Sequence, residues 1–290
     1  MTHILTLVAD RTQTSLTPAV LARVRAAVRG LEPVILSPGE AADIPCPTSP
    51  DPAVITAALE HLPIDAITTK ARGRRKGLLV ADMDSTIVTS ETLDELAAYA
   101  GLQSEIAAIT KRSMNGEIDF ETALRERVRM LKGLELDALH KTWSATKLTP
   151  GARELVATMR AHNATTALVS GGFTFFTGKV AERVGFDVHR ANTLIDDGTA
   201  LTGEVGSPVL DRHAKLEILT ELAEARGLKM SATLAVGDGA NDLAMLREAG
   251  LGVAFHAKPI VAAEAKAQVH HTGLLTLLFA QGYTRAQFVG

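Results

Sequence analysis

Gly77-Leu78-Leu79-Val80-Ala81-Asp82-Met83-Asp84-Ser85-Thr86 is the stretch on which the reading of this 290-residue chain turns. Residues 77–81 form an unbroken apolar run. Helices on both faces of a parallel sheet leave no row of side chains facing water, so a central strand there reads in just this way. The polar residues that follow stand at the carboxyl end of the strand, where open α/β sheets bind their ligands. Asp82 and Asp84, two apart on an extended segment, share a side, and their repulsion calls for a cation.

Outward from this stretch the same pattern recurs twice. Ser170-Gly171-Gly172 follows the apolar run 167–169, and Gly237-Asp238-Gly239-Ala240-Asn241-Asp242 follows the run 234–236. Between the first and second sites, residues 91–143 carry helical periodicity, broken at Asn115-Gly116 and Lys132-Gly133, with no strand-like segment: an all-helical insertion. Thr149-Pro150 then reads as an N-cap and first-turn proline for a helix to about residue 162, followed by a strand at 165–169. A hairpin at Asp197-Gly198, a helix at 213–226, a strand at 233–236, a helix at 242–249 and a strand at 252–255 complete the alternation. The fold class predicted is α/β, with a doubly wound parallel sheet.

Toward the N-terminus lies a small α/β unit: strand 4–8, helix 18–28, strand 34–36, a Pro-rich connection 45–52, helix 53–61 and strand 65–69. The cluster Lys70, Arg72, Arg74, Arg75 and Lys76 reads as a solvated linker more readily than as an anion patch, because no aromatic side chains interleave with the charges.

Composition narrows the function. The chain is 46% hydrophobic, enough for two buried cores. With 30 Lys and Arg against 33 Asp and Glu, it has no general attraction for nucleic acid or an anionic membrane, and any anion site must be local. The single Cys46 can form neither an intrachain disulfide nor a cysteine cluster for zinc, which fits a reducing cytoplasm. The start, Ile4-Leu5-Thr6-Leu7-Val8, lacks the features of an export signal, and no apolar run approaches the roughly 18 residues of a membrane span. The histidines are scattered, with the His270-His271 pair lacking ligand spacing, and this argues against zinc. Ser170 sits in Val-Ser-Gly-Gly rather than a Gly-x-Ser-x-Gly elbow, so a serine hydrolase is disfavoured. Asp82, Asp84 and Asp238 would each be an ordinary turn or cap residue taken singly. Gathered after the strands of one crevice, they form an all-oxygen donor set suited to Mg²⁺.

Asp82-Met83-Asp84-Ser85-Thr86, Ser170, Lys215 and Gly237-Asp238-Gly239-Ala240-Asn241-Asp242, in this order, resemble the haloacid dehalogenase (HAD) superfamily of phosphatases. The longer string 82–96 with Glu91, together with Val169-Ser170-Gly171-Gly172-Phe173 and Arg125-Glu126-Arg127-Val128, is similar to the phosphoserine phosphatase family within it. The resemblance runs from about residue 77 to the C-terminus. It implies a HAD-like sheet over 74–290 with a helical cap at about 88–147. Asp82 would be the nucleophile, Asp84 the acid and base, and Asp82, Asp84 and Asp238 the Mg²⁺ ligands. Ser170, Gly171, Lys215 and Asn241 would hold phosphate, with Asp242 in support. Glu91 and Arg127 would take the ammonium and carboxylate of O-phosphoserine, the minimal complementary pair for such a small-molecule substrate. Met114 and Phe120 match apolar contacts of the family's cap, simple core packing being the other role open to both.

Residues 1–73 resemble the ACT-like domains of some bacterial members, with one strand fewer than a full βαββαβ unit by this reading. Homodimer formation and core support are the two roles left open to it. Two rival functions stand beside the main one: the same chemistry on another small phosphorylated alcohol, and a phospho-receiver module, which clusters Asp and Lys in the same way but has no need of a cap.

Overall fold

The computed structural model describes residues 2–114, 117–211 and 213–290, with Met114 described by its backbone alone. Six elements come first: β1 (His3–Ala9), α1 (Pro18–Ala27), β2 (Val34–Ser37), β3 (Ala41–Cys46), α2 (Pro52–Leu59) and β4 (Ile64–Lys70). Thr17 and Asp51 cap the two helices with their side chains, each followed by a proline in the first turn. The strands form an antiparallel sheet in the order β2-β3-β1-β4, a complete βαββαβ unit.

This corrects the expected strand count, since β3 fills the stretch left unassigned after strand 34–36 and runs into the Pro-rich connection that the sequence suggested from residue 45. Asp43 and Pro45 disfavour a strand. Both are accommodated by their surroundings. β2 pairs only with residues 41–43, so Pro45 lies past its end, where its carbonyl accepts the Leu31 N–H at 2.8 Å. Arg74 grips both oxygens of Asp43 at 2.5 and 2.9 Å and donates to Thr6 Oγ1 at 3.0 Å.

The basic cluster is likewise not a solvated linker throughout. Arg74 also reaches the carbonyls of Phe279 and Ala280, each at 3.3 Å, and Lys76 Nζ donates to Gly73 O and Ser231 O at 3.0 and 2.7 Å. A buried carboxylate needs its partner, and here the partner comes from the segment joining the two units. Asp65 adds a second seam, accepting the N–H groups of His270 and Thr272 at 2.8 Å each and the Thr272 hydroxyl at 2.6 Å.

The remaining elements are β5 (Leu78–Ala81), α3 (Thr92–Tyr99), α4 (Gln103–Met114), α5 (Phe120–Met130), α6 (Asp137–Ala145), α7 (Ala152–Ala161), β6 (Thr165–Phe173), α8 (Thr174–Val184) and β7 (Val188–Asn192). A hairpin of β8 (Leu194–Asp196) and β9 (Leu201–Val205) follows, then α9 (Ala214–Ala225), β10 (Thr233–Gly237), α10 (Leu243–Glu248), β11 (Leu251–Phe255), α11 (Pro259–Glu264), β12 (Ala267–Val269) and α12 (Thr276–Ala280). The six-stranded sheet is parallel throughout, in the order β12-β11-β10-β5-β6-β7. All four residues of β5 are fully buried, as the apolar run required. After β5 the chain builds the sheet outward through β6 and β7, then returns to the other flank for β10. The crevice of this switch point therefore opens above β5 and β10.

Helices α3 to α6 form the cap. Its two connections lie side by side: Val88 pairs with Leu148, Thr89 N donates to Lys147 O at 3.0 Å, and Thr149 N donates to Ile87 O at 2.9 Å. The expected break at Asn115-Gly116 lies outside the described residues, whereas Gly133, at φ 83°, turns the chain between α5 and α6. Helix α7 begins at Ala152, later than Thr149-Pro150 suggested, because Gly151 takes φ 87° and ends the connection first.

Candidate active site

Asp82 is the first residue past β5, its N–H bonded to Val236 O of β10 at 3.0 Å. The chain then turns tightly through Met83–Ile87, with Ser85 at φ 52°. A left-handed non-glycine residue carries backbone strain, and strain of this kind gathers at functional turns. The turn buries Met83 beneath and leaves Asp84 partly open above. One strand over, β6 runs through Ser170, Gly171 and Gly172, where its pairing with β7 shifts between Val169 and Phe173. On the other side, Asp238 follows β10, and Ala240–Asp242 makes a short turn into α10. Helix α9 brings Lys215 to Asp82 and Asp242.

Lys215 is 3% exposed and holds two carboxylates, with Nζ 2.7 Å from Asp82 Oδ1 and 2.6 Å from Asp242 Oδ1. Burial opposes its charge, yet Asp242 and Asp82 outweigh that and raise its pKa above the ordinary lysine value. The second oxygen of Asp242 accepts the Gly239 N–H at 2.9 Å. A Cβ on Gly237 would lie 2.3 Å from Asp242 Cγ, so only glycine leaves room for this carboxylate.

The other acids are held toward their neutral forms. Burial and the Asp242 charge push Asp82 well above the usual carboxylate range, with Lys215 opposing. Burial, then the Glu91 charge, raise Asp84 to about 7 against a hydrogen bond from Thr92 N–H at 3.2 Å. Asp238 is raised to about 6, by burial first and Asp242 second. Oxygens of Asp82, Asp238 and Asp242 lie within 4.8 Å of one another. These buried carboxylates share one lysine and offer only oxygen donors, which is the environment that favours a hard divalent cation. Asp84 stands beside this trio, one turn toward the cap.

A cleft of about 870 Å³ separates the sheet from the cap. Asp82, Asp84, Ser170, Gly171, Asp238 and Asn241 line its floor, while Glu91, Phe120 and Arg127 line the cap side. Glu91 accepts the Ser85 hydroxyl at 2.8 Å, which ties the cap's first helix to the turn after β5. Arg127 is braced by Ala123 O at 3.2 Å and Thr110 Oγ1 at 3.4 Å. Burial lowers its pKa, and Asp94 and Glu91 counter that. Phe120 reaches across, its Cζ 3.3 Å from where a Cβ on Gly171 would lie, so the cap already touches the loop of Ser170, Gly171 and Gly172. Met114 ends α4, and its side chain lies outside the described residues. The cleft thus gathers the floor and cap residues singled out in the sequence, with Lys215 and Asp242 packed beneath them.

Lys258, Thr110 and Asp94 were not singled out. Lys258 lines the cleft, and its N–H bonds Asp238 O at 3.3 Å. A polar residue after the apolar run 251–255 was the available signal for it. Thr110 and Asp94 offered none, since both act through Arg127.

Residues 79–247 match the haloacid dehalogenase-like hydrolase family. Over 232 residues the chain is 42% identical to the phosphoserine phosphatase of Streptomyces coelicolor, the match covering 80% of this chain and 56% of that protein, so it spans little more than half that relative's length. It is 41% identical over 233 residues to the probable phosphoserine phosphatase of Schizosaccharomyces pombe, covering 80% and 78% of the two chains. The crystal structure of a probable phosphoserine phosphatase from Vibrio cholerae, in unliganded form, superposes with a TM-score of 0.82 at 33% identity, over 99% of this chain and 88% of that one.

Proposed function

Because the chain belongs to the haloacid dehalogenase-like hydrolases, and within them to the phosphoserine phosphatases, we propose that it hydrolyses O-phospho-L-serine to L-serine and phosphate. The observation that carries this reading is the pairing of two distinct acids on one turn. Asp82 lines the cleft with Lys215 at 2.7 Å opposing the protonation that burial favours, and Asp84, with a pKa of about 7, retains a proton near neutrality.

In the first step an Asp82 oxygen attacks phosphorus, a P–O bond forms on Asp82, and the bond to the serine oxygen breaks. Asp84 gives its proton to that oxygen as it leaves. In the second step water attacks the same phosphorus, Asp84 takes a proton from it, and the Asp82 carboxylate is released with inorganic phosphate. Ser170 and the Gly171 N–H donate to the equatorial oxygens, where charge gathers in each transition state. Asn241 helps to hold the phosphoryl group, and Asp242 keeps Lys215 oriented.

The carboxylates fit Mg²⁺, with Asp82, Asp84 and Asp238 as its residues. Bound there, Mg²⁺ screens the negative charge of the phosphate from the nucleophile. Glu91 takes the substrate ammonium and Arg127 its carboxylate, and the cap, once closed, excludes water from the first step. The site serves as the last step of L-serine synthesis, in the cytoplasm. No helix among the described residues is long and apolar enough to cross a membrane.

The same reading divides the chain at about residue 73 into an ACT-like unit and the phosphatase unit. Homodimer formation through the former is supported by Val34 and Ile35, 54% and 49% exposed on the free edge strand β2.

The test is phosphate release from L-phosphoserine with Mg²⁺, with EDTA, and by Asp82→Asn, beside a panel of other phosphomonoesters. Mg²⁺-dependent release that prefers phosphoserine and disappears in the variant is the expected result. Turnover of other esters alone would sink the substrate and keep the chemistry.

A further inference from the structure

The phosphate-binding loop depends on a residue that never faces the cleft. Asn192, the last residue of β7, is 1% exposed, and both ends of its side-chain amide are used. Its Nδ2 donates to Gly171 O at 2.9 Å, and its Oδ1 accepts the Leu210 N–H at 2.7 Å. A backbone carbonyl can only accept and a backbone N–H can only donate, so these partners leave the amide a single orientation.

The peptide group joining Gly171 to Gly172 is the one that Asn192 holds. In a trans peptide the C=O and N–H point in opposite directions. With Gly171 O turned toward Asn192, the Gly172 N–H points the other way, and there it donates to Ser170 Oγ at 2.9 Å. A hydroxyl that accepts this bond on its oxygen keeps its own proton to give away. The chain of donors runs from Leu210 N–H to Asn192, from Asn192 to Gly171 O, and across that peptide to Ser170, whose hydroxyl is left to donate into the cleft. Each link polarises the next.

Among the described residues, the sheet itself does little to hold the loop. The ladder between β6 and β7 is interrupted between Val169 and Phe173, so Ser170, Gly171 and Gly172 lack the regular sheet pairing that fixes the residues on either side. A side chain on Gly172 would meet Asp84 Oδ2 and Ser170 Oγ, each at 3.1 Å, so the position stays glycine and flexible. Leu210 lies in the segment that leads to α9 and Lys215. One buried amide therefore sets the hydroxyl donor and ties it to the segment that delivers the lysine.

We propose that Asn192 is a positioning residue for phosphoryl transfer, acting through the Gly171–Gly172 peptide to aim the Ser170 hydroxyl at the transferring phosphoryl group. This rests on the phosphatase reading of the site.

The experiment is a double-mutant cycle between Asn192→Asp and Ser170→Ala, run on whichever phosphomonoester the wild type turns over fastest, with Tm measured for every variant. Asn192→Asp is isosteric and keeps the acceptor for Leu210, but it sets an oxygen against Gly171 O. Losing one aimed donor typically costs on the order of 100-fold or more in kcat, and a misaimed donor less, so Asn192→Asp should lower kcat by about 10-fold to 100-fold. In the Ser170→Ala background the same substitution should cost less than about twofold, because the group it aims is gone. Asn192→Ser, small and neutral, should repeat the pattern with a smaller loss.

Equal losses in both backgrounds, or a fall in Tm with kcat per folded molecule unchanged, would overturn the role. Because the cycle follows the best ester, loss of the serine assignment leaves it intact. Absence of turnover on every ester sinks both readings.

Discussion

Asp84 and Lys215 show how differently two residues of one site can be read. Asp84 announced itself, standing three residues past a buried strand and two past another aspartate. Lys215 has the local sequence of any exposed helical lysine, and only its order among the motifs marked it. Its meaning comes from Asp82 and Asp242, which the fold brings to within 2.7 Å. Asn192 left no trace in the sequence at all, since the backbone atoms it joins lie 21 and 18 residues away along the chain. For Asp84 the sign of the pH dependence follows from its raised pKa of about 7. The folded chain keeps this proton where the unfolded chain, at its ordinary value of 3.8, has lost it. The contribution to stability is therefore full below 3.8 and lost as pH rises through about 7. Asp84→Asn has no proton to lose, so in the metal-free protein its Tm should gain on wild type between pH 5 and pH 8, by on the order of a few degrees. A constant difference across that range, read by thermal melts, would count against the assignment.

Among the elements, legibility followed burial pattern. Strands β5 and β10 are buried throughout and were plain as apolar runs. The exposed ends of helices drifted by a residue or two, as hydrogen-bond patterns fray there. Strand β7 reads Val188-His189-Arg190-Ala191-Asn192, an edge strand with three residues not fully buried, and offers neither a run nor a clean alternation. Strand β3 was missed for a different reason: its Asp43 and Pro45 are poor strand formers, rescued by Arg74 from 31 residues away. That rescue can be measured. Arg74→Leu leaves Asp43 buried without its cation, and breaking a buried pair in this way costs on the order of 3 to 5 kcal/mol. Urea denaturation should show that loss, and Arg74→Leu with Asp43→Asn should recover part of it. A loss under about 1 kcal/mol would mean that the seam is not held by this pair.

At the scale of the whole molecule, the acids of the floor make stability and ligand binding one property. Asp238, at about 6, must give up its proton before a divalent cation can use it. Mg²⁺ should therefore raise Tm more at pH 8 than at pH 5.5, and differential scanning calorimetry at fixed Mg²⁺ would read the difference. Equal shifts at both pH values would argue against Asp238 as its ligand. The cap helices arrive after β5 and leave before β6. What periodicity could not foresee is that Val88 and Leu148 would pair, closing the insertion on itself at its base. A segment whose two ends touch is a parenthesis in the chain, free to lengthen, shrink or be exchanged without shifting a strand below it. Descent with modification can then rewrite which molecule is admitted while the floor beneath is inherited unchanged.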